Sequence, residues 1–150
     1  MPLNYYALLF GVLIAGLVIV TFHKTDWSPN GWAFPTLLAS FPAYYWVFAV
    51  YGNDYVALRY ELIAGVGFIV MSVYAWRKKN TAGMVILAIG YIAHALYDVV
   101  HDKLFINAGM PGWWPEFCGA ADLILGLYVG YLAWSSAKTA GPESINPHES

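Results

Sequence analysis

The chain is short of charge. Only 11% of its 150 residues are Asp, Glu, Lys or Arg, against about 25% in ordinary soluble domains. With 60% of the residues hydrophobic, a water-soluble globule this small could not cover its surface. The scarcity points instead to a polytopic membrane protein. Seven cations against nine anions give a net charge of −2, which leaves no basic face of the kind a nucleic-acid binder carries. The single cysteine, Cys118, excludes an intrachain disulfide. No Lys or Arg precedes the first apolar run, Tyr5 to Phe22. That run therefore lacks the positive n-region of a secretory leader and reads as a retained first span. Aromatics, by contrast, are plentiful at 18%.

Five apolar runs are long enough to cross a bilayer at roughly 17–25 residues per helix. They fall at about Tyr5–Phe22, Trp32–Tyr51, Tyr55–Trp76, Ala82–Leu104 and Pro115–Ser135. The stretch between the first two holds Asp26, Ser28, Pro29, Asn30 and Gly31, all turn formers. Pro35 lies near the start of the second span, and Pro42 should kink its middle. Asp54 is placed to cap the third helix and Thr81 the fourth. The expected fold is all-α, an integral membrane bundle of five transmembrane helices over residues 1–135. Residues 136–150 form a polar tail that composition assigns to disorder.

Cations set the orientation. With the Arg77-Lys78-Lys79 loop on the cytoplasmic side, Lys24 and Lys138 join it, so that side holds five of the seven Lys and Arg. The N-terminus is then outside and the tail inside. Trp27, Trp32 and Trp76 fall near the inner interface and Trp113 and Trp114 near the outer one, as an aromatic belt requires.

Against this apolar background one stretch stands out: HALYDVVHDKLFINAGMPGWWPEFCGAAD, from His94 to Asp122. His94, Asp98 and His101 are spaced i, i+4 and i+7, which places them on one helix face. Cys118 and Asp122 repeat the i, i+4 spacing on the next helix, which Pro115 and Glu116 open favourably. Glu61 lies roughly 10 Å below the outer end of the third span and Asp122 roughly 10 Å below that of the fifth. His94, Asp98 and His101 lie roughly 15, 9 and 5 Å down the fourth. Ionisable groups from three helices thus share a depth in the outer leaflet. Such groups inside a span are costly and usually face the bundle interior for a purpose.

Several chemistries fit the constellation. His94, Asp98, Asp122 and Glu61 offer a mixed N/O ligand set for a transition metal, with His101 and Cys118 as outer candidates. Because His94 and His101 are roughly 10 Å apart along the axis, both cannot easily hold one ion. The same four residues, Asp98, His94, Glu61 and Asp122, could instead perform metal-free acid–base catalysis on a lipophilic small molecule. Tyr44, Tyr45, Trp46, Tyr60, Tyr91, Tyr97 and Tyr128 are available to line its pocket. A proton or cation relay is the alternative, as is an accessory subunit in which the cluster only fixes helix register. Asp98, one turn from each His, is placed to orient either imidazole. Trp113 and Trp114 read as an interfacial anchor or as a lid over the site. Gly126 and Gly130 form a GxxxG pair on the fifth span, a packing signal that could also carry a homo-oligomer.

The run HALYDVVHD followed by WWPEFCGAAD resembles a group of small bacterial polytopic membrane proteins with the pattern HxxxDxxH, W-[WY]-P-x-F-C and a downstream Asp. His94, Asp98, His101, Trp113, Trp114, Pro115, Phe117, Cys118 and Asp122 carry the resemblance, over about the C-terminal 40% of the chain. It implies a membrane fold and no particular activity; the expected location is the inner (plasma) membrane, as a multi-pass protein. The layout is also similar to that of sterol-isomerase-like membrane proteins, by analogy of arrangement and not of motif.

Overall fold

A computed structural model describes residues 3–25 and 31–139. Five helices follow one another: α1 (Tyr5–Lys24), α2 (Ala33–Tyr51), α3 (Tyr55–Lys78), α4 (Thr81–Leu104) and α5 (Trp114–Thr139). All five are long and apolar enough to span a membrane, and the described chain is an all-α, multi-pass membrane bundle. Its outward faces are apolar, as lipid requires: Tyr6 is 88% exposed and Ile63 74%. The turn expected at Asp26 to Asn30 and the tail beyond residue 139 lie outside the described residues. Helix α5 runs four residues past Ser135 before that limit.

Local chemistry sets the helix ends. The Asn4, Asp54 and Asn80 side chains accept from the backbone N–H three residues on, at 3.1, 2.9 and 3.0 Å. The fourth helix is therefore capped by Asn80 and not by Thr81, which is its first helical residue. Lys79, with φ at 45°, closes α3 in the left-handed region. Lys78 and Lys79 lie over the Tyr74 and Trp76 rings, and Lys138 over Trp134 at 3.8 Å. These cations reach toward one end of the bundle along aromatic rings, an arrangement suited to a membrane interface. Helix α2 continues unbroken across Pro42.

Helix α4 packs against both α5 and α3, α1 packs on α5 and α2 on α3, and α2 also touches α4. Small residues set these approaches. A Cβ on Gly126 would meet Ile92 Cγ1 at 2.8 Å and Tyr91 Cβ at 3.1 Å, so α4 sits directly on α5. One on Gly65 would meet Pro42 and Trp46 of α2 within 2.8 Å. The Gly126/Gly130 face is thus occupied by α4 within the chain, and a second copy could use it only by displacing that helix. The core at the α3–α4 turn end is apolar, built on Phe34, Leu38, Leu87, Tyr91, Leu125 and Val129. At the opposite end the α4–α5 loop lies against the α2–α3 turn. A Cβ on Gly109 would fall 1.9 Å from the Phe48 carbonyl oxygen, and one on Gly52 would fall 2.4 Å from the Gly109 nitrogen. Ala108 N–H donates to Asp54 there at 3.4 Å. This tight seat fixes the loop residue Asn107 beneath it.

Candidate functional site

Every buried charged side chain among the described residues belongs to one polar layer near the α4–α5 loop. Glu61, His94, Asp98, His101 and Asp122 are each 2% exposed or less. The shared depth expected from the sequence brings them to one level. Within that level they divide into two centres.

The first centre joins α4 to α5. His94 Nδ1 donates to Asp122 Oδ2 at 2.7 Å, with Asp98 Oδ2 at 3.5 Å from the same nitrogen. The Asp98 and Asp122 carboxyls are neighbours, with an oxygen of each within 4.8 Å of the other. Tyr45 of α2 donates its hydroxyl to Asp98 Oδ1. Aromatic rings enclose the imidazole, with the Phe68 centroid at 4.6 Å and that of Phe41 at 5.5 Å. Two oxygens remain unpartnered, Asp98 Oδ2 and Asp122 Oδ1. The protein has left hydrogen-bonding capacity here at a depth where an unmet carboxylate is expensive.

The second centre joins α4 to α3 and the loop. His101 Nε2 donates to Glu61 Oε1 at 2.8 Å, and Asn107 Nδ2 donates to the same oxygen at 3.0 Å. Tyr97 fills Oε2 at 2.8 Å. The other imidazole nitrogen of His101 faces Asp102 at 3.4 Å. Both Glu61 oxygens are therefore satisfied. Trp46 Nε1 also donates to the Glu61 carbonyl at 3.0 Å, tying α2 to α3.

Helix geometry explains the division. At 100° per residue, Asp98 is turned roughly 40° to one side of His94 and His101 roughly 20° to the other. The roughly 60° between them sends Asp98 toward α5 and His101 toward α3. Asp98 thus orients His94 but not His101, whose carboxylate is Glu61. Nor does Glu61 join the possible ligand set. Among the described residues one group of three offers ligand atoms all within 4.8 Å of one another: His94, Asp98 and Asp122. Glu61, His101 and Cys118 stand outside it; Cys118 is a buried free thiol.

Tyr45 and Asn107 connect the centres, and neither role is visible in spacing. The Tyr45 ring packs on His101 at 5.0 Å and His94 at 6.1 Å, while its backbone carbonyl accepts from Asn107 at 3.1 Å. The only sequence signal for Asn107 was a polar residue alone in an otherwise apolar and turn-forming loop.

Two cavities reach the first centre. One, of about 360 Å³, lies between α1, α2 and α5, with Phe10, Ile14, Leu37 and Phe41 among its walls and Asp122 in its lining. Trp113 and Trp114 form part of it, and the Trp114 indole nitrogen is buried without a partner. Trp113, 43% exposed, faces outward as well. Of the seven aromatics proposed from sequence to line a pocket, Tyr44 alone does so here. Tyr91 instead donates to the Phe34 carbonyl at 2.7 Å inside the core, and Tyr60 stacks on Phe105. The second cavity, of about 610 Å³, lies between α1, α4 and α5 and is lined by Asp98, Asp102, Lys103 and Glu116.

Comparison of the chain with family models, curated protein sequences and solved structures returns no match.

Proposed function

We propose that the chain is a membrane-embedded binding protein or enzyme that brings a lipophilic small molecule to the His94–Asp98–Asp122 centre for acid–base or metal-assisted chemistry. One observation carries the reading. The cavity between α1, α2 and α5 is lined mostly by apolar side chains, with Asp122 its one carboxylate. Asp122 Oδ1 and Trp114 Nε1, in its lining residues, are a buried acceptor and a buried donor without partners. Its volume falls at the small end of ligand pockets, which run from about 300 to 1,000 Å³. The matching ligand is an apolar molecule with a hydroxyl, amine or carbonyl at one end. In this reading Asp122 takes or gives a proton at the ligand through Oδ1, while the His94 Nδ1–H that donates to Oδ2 balances the charge on the carboxylate. Asp98, held by Tyr45, positions His94. A relay across the bilayer draws less support, because the core at the other end is apolar among the described residues.

The proposed site lies in the outer leaflet of a plasma membrane with the N-terminus outside, an orientation that the distribution of cations supports. A reporter fused after Ser150 should be active on the cytoplasmic side; activity on the other face would overturn the orientation. For the ligand, the test is mass spectrometry of lipophiles that co-purify with the protein in detergent. Wild type should retain a molecule that Ile14→Trp, which fills the cavity, loses by at least about tenfold. Identical extracts from the two proteins would overturn the reading.

A further inference from the structure

We infer that His94, Asp98 and Asp122 form a binding site for one divalent first-row transition ion, supplied through the acidic cavity that ends at Asp98. The inference shares its centre with the proposed function but does not require a lipophilic ligand.

Ligand placement is the first argument. One imidazole nitrogen and one oxygen from each of two carboxyls lie within 4.8 Å of one another, fully buried, from two adjacent helices. Asp98 Oδ2 and Asp122 Oδ1 lack hydrogen-bond partners, and the two carboxyls share a single ionic partner, His94, so a cation would supply what one imidazole cannot. The Oδ1 atom of Asp98 is already committed to the Tyr45 hydroxyl, which orients the carboxylate and leaves Oδ2 facing His94. A hydrogen-bonding group behind a ligand is the usual support of a metal site.

Charge is the second. Fully ionised, two carboxylates and one imidazolium carry −1, so the set is neutral only with a proton held on a carboxyl or with a cation bound. Among the described residues the only ion pairs of this centre are those with His94. Arg59 and Lys103, the cations nearest this end, are exposed. A divalent ion with neutral His94 makes the set electrically neutral, as a buried site requires. It would replace the His94–Asp122 hydrogen bond, so the Nδ1 proton moves to Nε2 or leaves the protein. One nitrogen and two oxygens suit zinc, manganese or ferrous iron better than a soft ion such as cuprous copper. Three protein ligands would also leave a coordination position open, as catalytic sites do.

Access is the third. The cavity of about 610 Å³ is lined by three carboxylates, Asp98, Asp102 and Glu116, against one cation, Lys103, and Glu116 Oε2 is likewise buried without a partner. Carboxylates along an apolar-walled cleft concentrate cations at its mouth. Asp102, 62% exposed at its side chain, marks the outward end.

The test is metal analysis of the full-length protein in detergent, loaded separately with Zn²⁺ and Mn²⁺ and then desalted. Wild type should hold close to one ion per chain. Asp98→Asn and Asp122→Asn should weaken binding at least about 100-fold in a chelator competition. Tyr45→Phe, which spares every ligand, should weaken it by about 10–100-fold. Glu61→Gln and Ile14→Trp should leave stoichiometry unchanged; the second separates this result from any failure to find a lipophilic ligand. Co²⁺ loading adds a check that does not depend on variants: visible ligand-field bands should appear in wild type. A folded wild type that takes up no ion, or binding that survives both Asp98→Asn and Asp122→Asn, would overturn the site and leave a proton shared between the carboxyls as its content. Loss of binding in Glu61→Gln as severe as in Asp122→Asn would overturn it too, by removing its specificity for the first centre.

Discussion

Two histidines seven residues apart on α4 are both buried, and both face a carboxylate from another helix. Their surroundings differ in how completely the polar groups are met. Around His101, Glu61 receives hydrogen bonds on both oxygens, from His101, Asn107 and Tyr97. Around His94, two carboxylates crowd one imidazole and two of their oxygens are unpaired. At the His101 centre the carboxylate is fully met and the unpartnered atom is the neutral amide oxygen of Asn107, whereas at the His94 centre it is two carboxylate oxygens that go unmet, which costs more stability. The Glu61 centre therefore serves to fix α3, α4 and the α4–α5 loop. The Asp98–Asp122 centre keeps a stability deficit, which is the usual mark of a site kept for function.

Breaking the Glu61 centre should have the largest effect. Glu61→Ala removes the common acceptor of three donors, the buried His101 and Asn107 and the half-buried Tyr97. It should cost about 3–5 kcal/mol, the range for stripping one partner from a buried pair. Thermal unfolding in detergent reads this directly, and a loss below about 1 kcal/mol would contradict the structural role. Tyr45→Phe ranks next, at about 1.5–3 kcal/mol, because it strands Asp98 Oδ1 while keeping the ring. Gly109→Ala should cost about 1–3 kcal/mol, since its Cβ would collide with the Phe48 carbonyl and lift the loop that seats Asn107. Protease sensitivity at the loop should rise with it. Asp98→Asn should have the smallest effect on stability, within about 1 kcal/mol, and abolish ligand or metal binding. Wild-type binding in that variant would remove Asp98 from the site.

The architecture was legible because a bilayer leaves few options. Runs of apolar residues gave five spans, and observed helix ends differ from expectation by a few residues at most. Asp54 read correctly as a cap; Thr81 did not, because Asn80 just before it offers the better-placed acceptor. Depth was legible too, since rise per residue alone places Glu61, Asp98 and Asp122 at one level. Pairing was not. Which carboxylate meets which histidine depends on how each helix is rotated against its neighbours, and that is set by contacts such as Gly126 on Tyr91 and Ile92. Spacing alone made Asp98 the partner of both histidines, and rotation gave His101 to Glu61. Tyr45 looked like any other aromatic of α2. Asn107 sits outside every helix, where periodicity carries no information.

The contrast between the centres can be tested with one chemical change made twice. Glu61→Gln and Asp122→Asn each replace a buried carboxylate by its amide, and their melting temperatures in the same detergent can be compared. In Glu61→Gln the new NH₂ faces groups that already donate, so the melting temperature should fall. In Asp122→Asn the new NH₂ can donate to the unpaired Asp98 Oδ2 while the amide oxygen keeps the His94 bond, so it should stay level or rise. A fall in Asp122→Asn equal to or larger than that in Glu61→Gln would contradict the account, because both centres would then be structural.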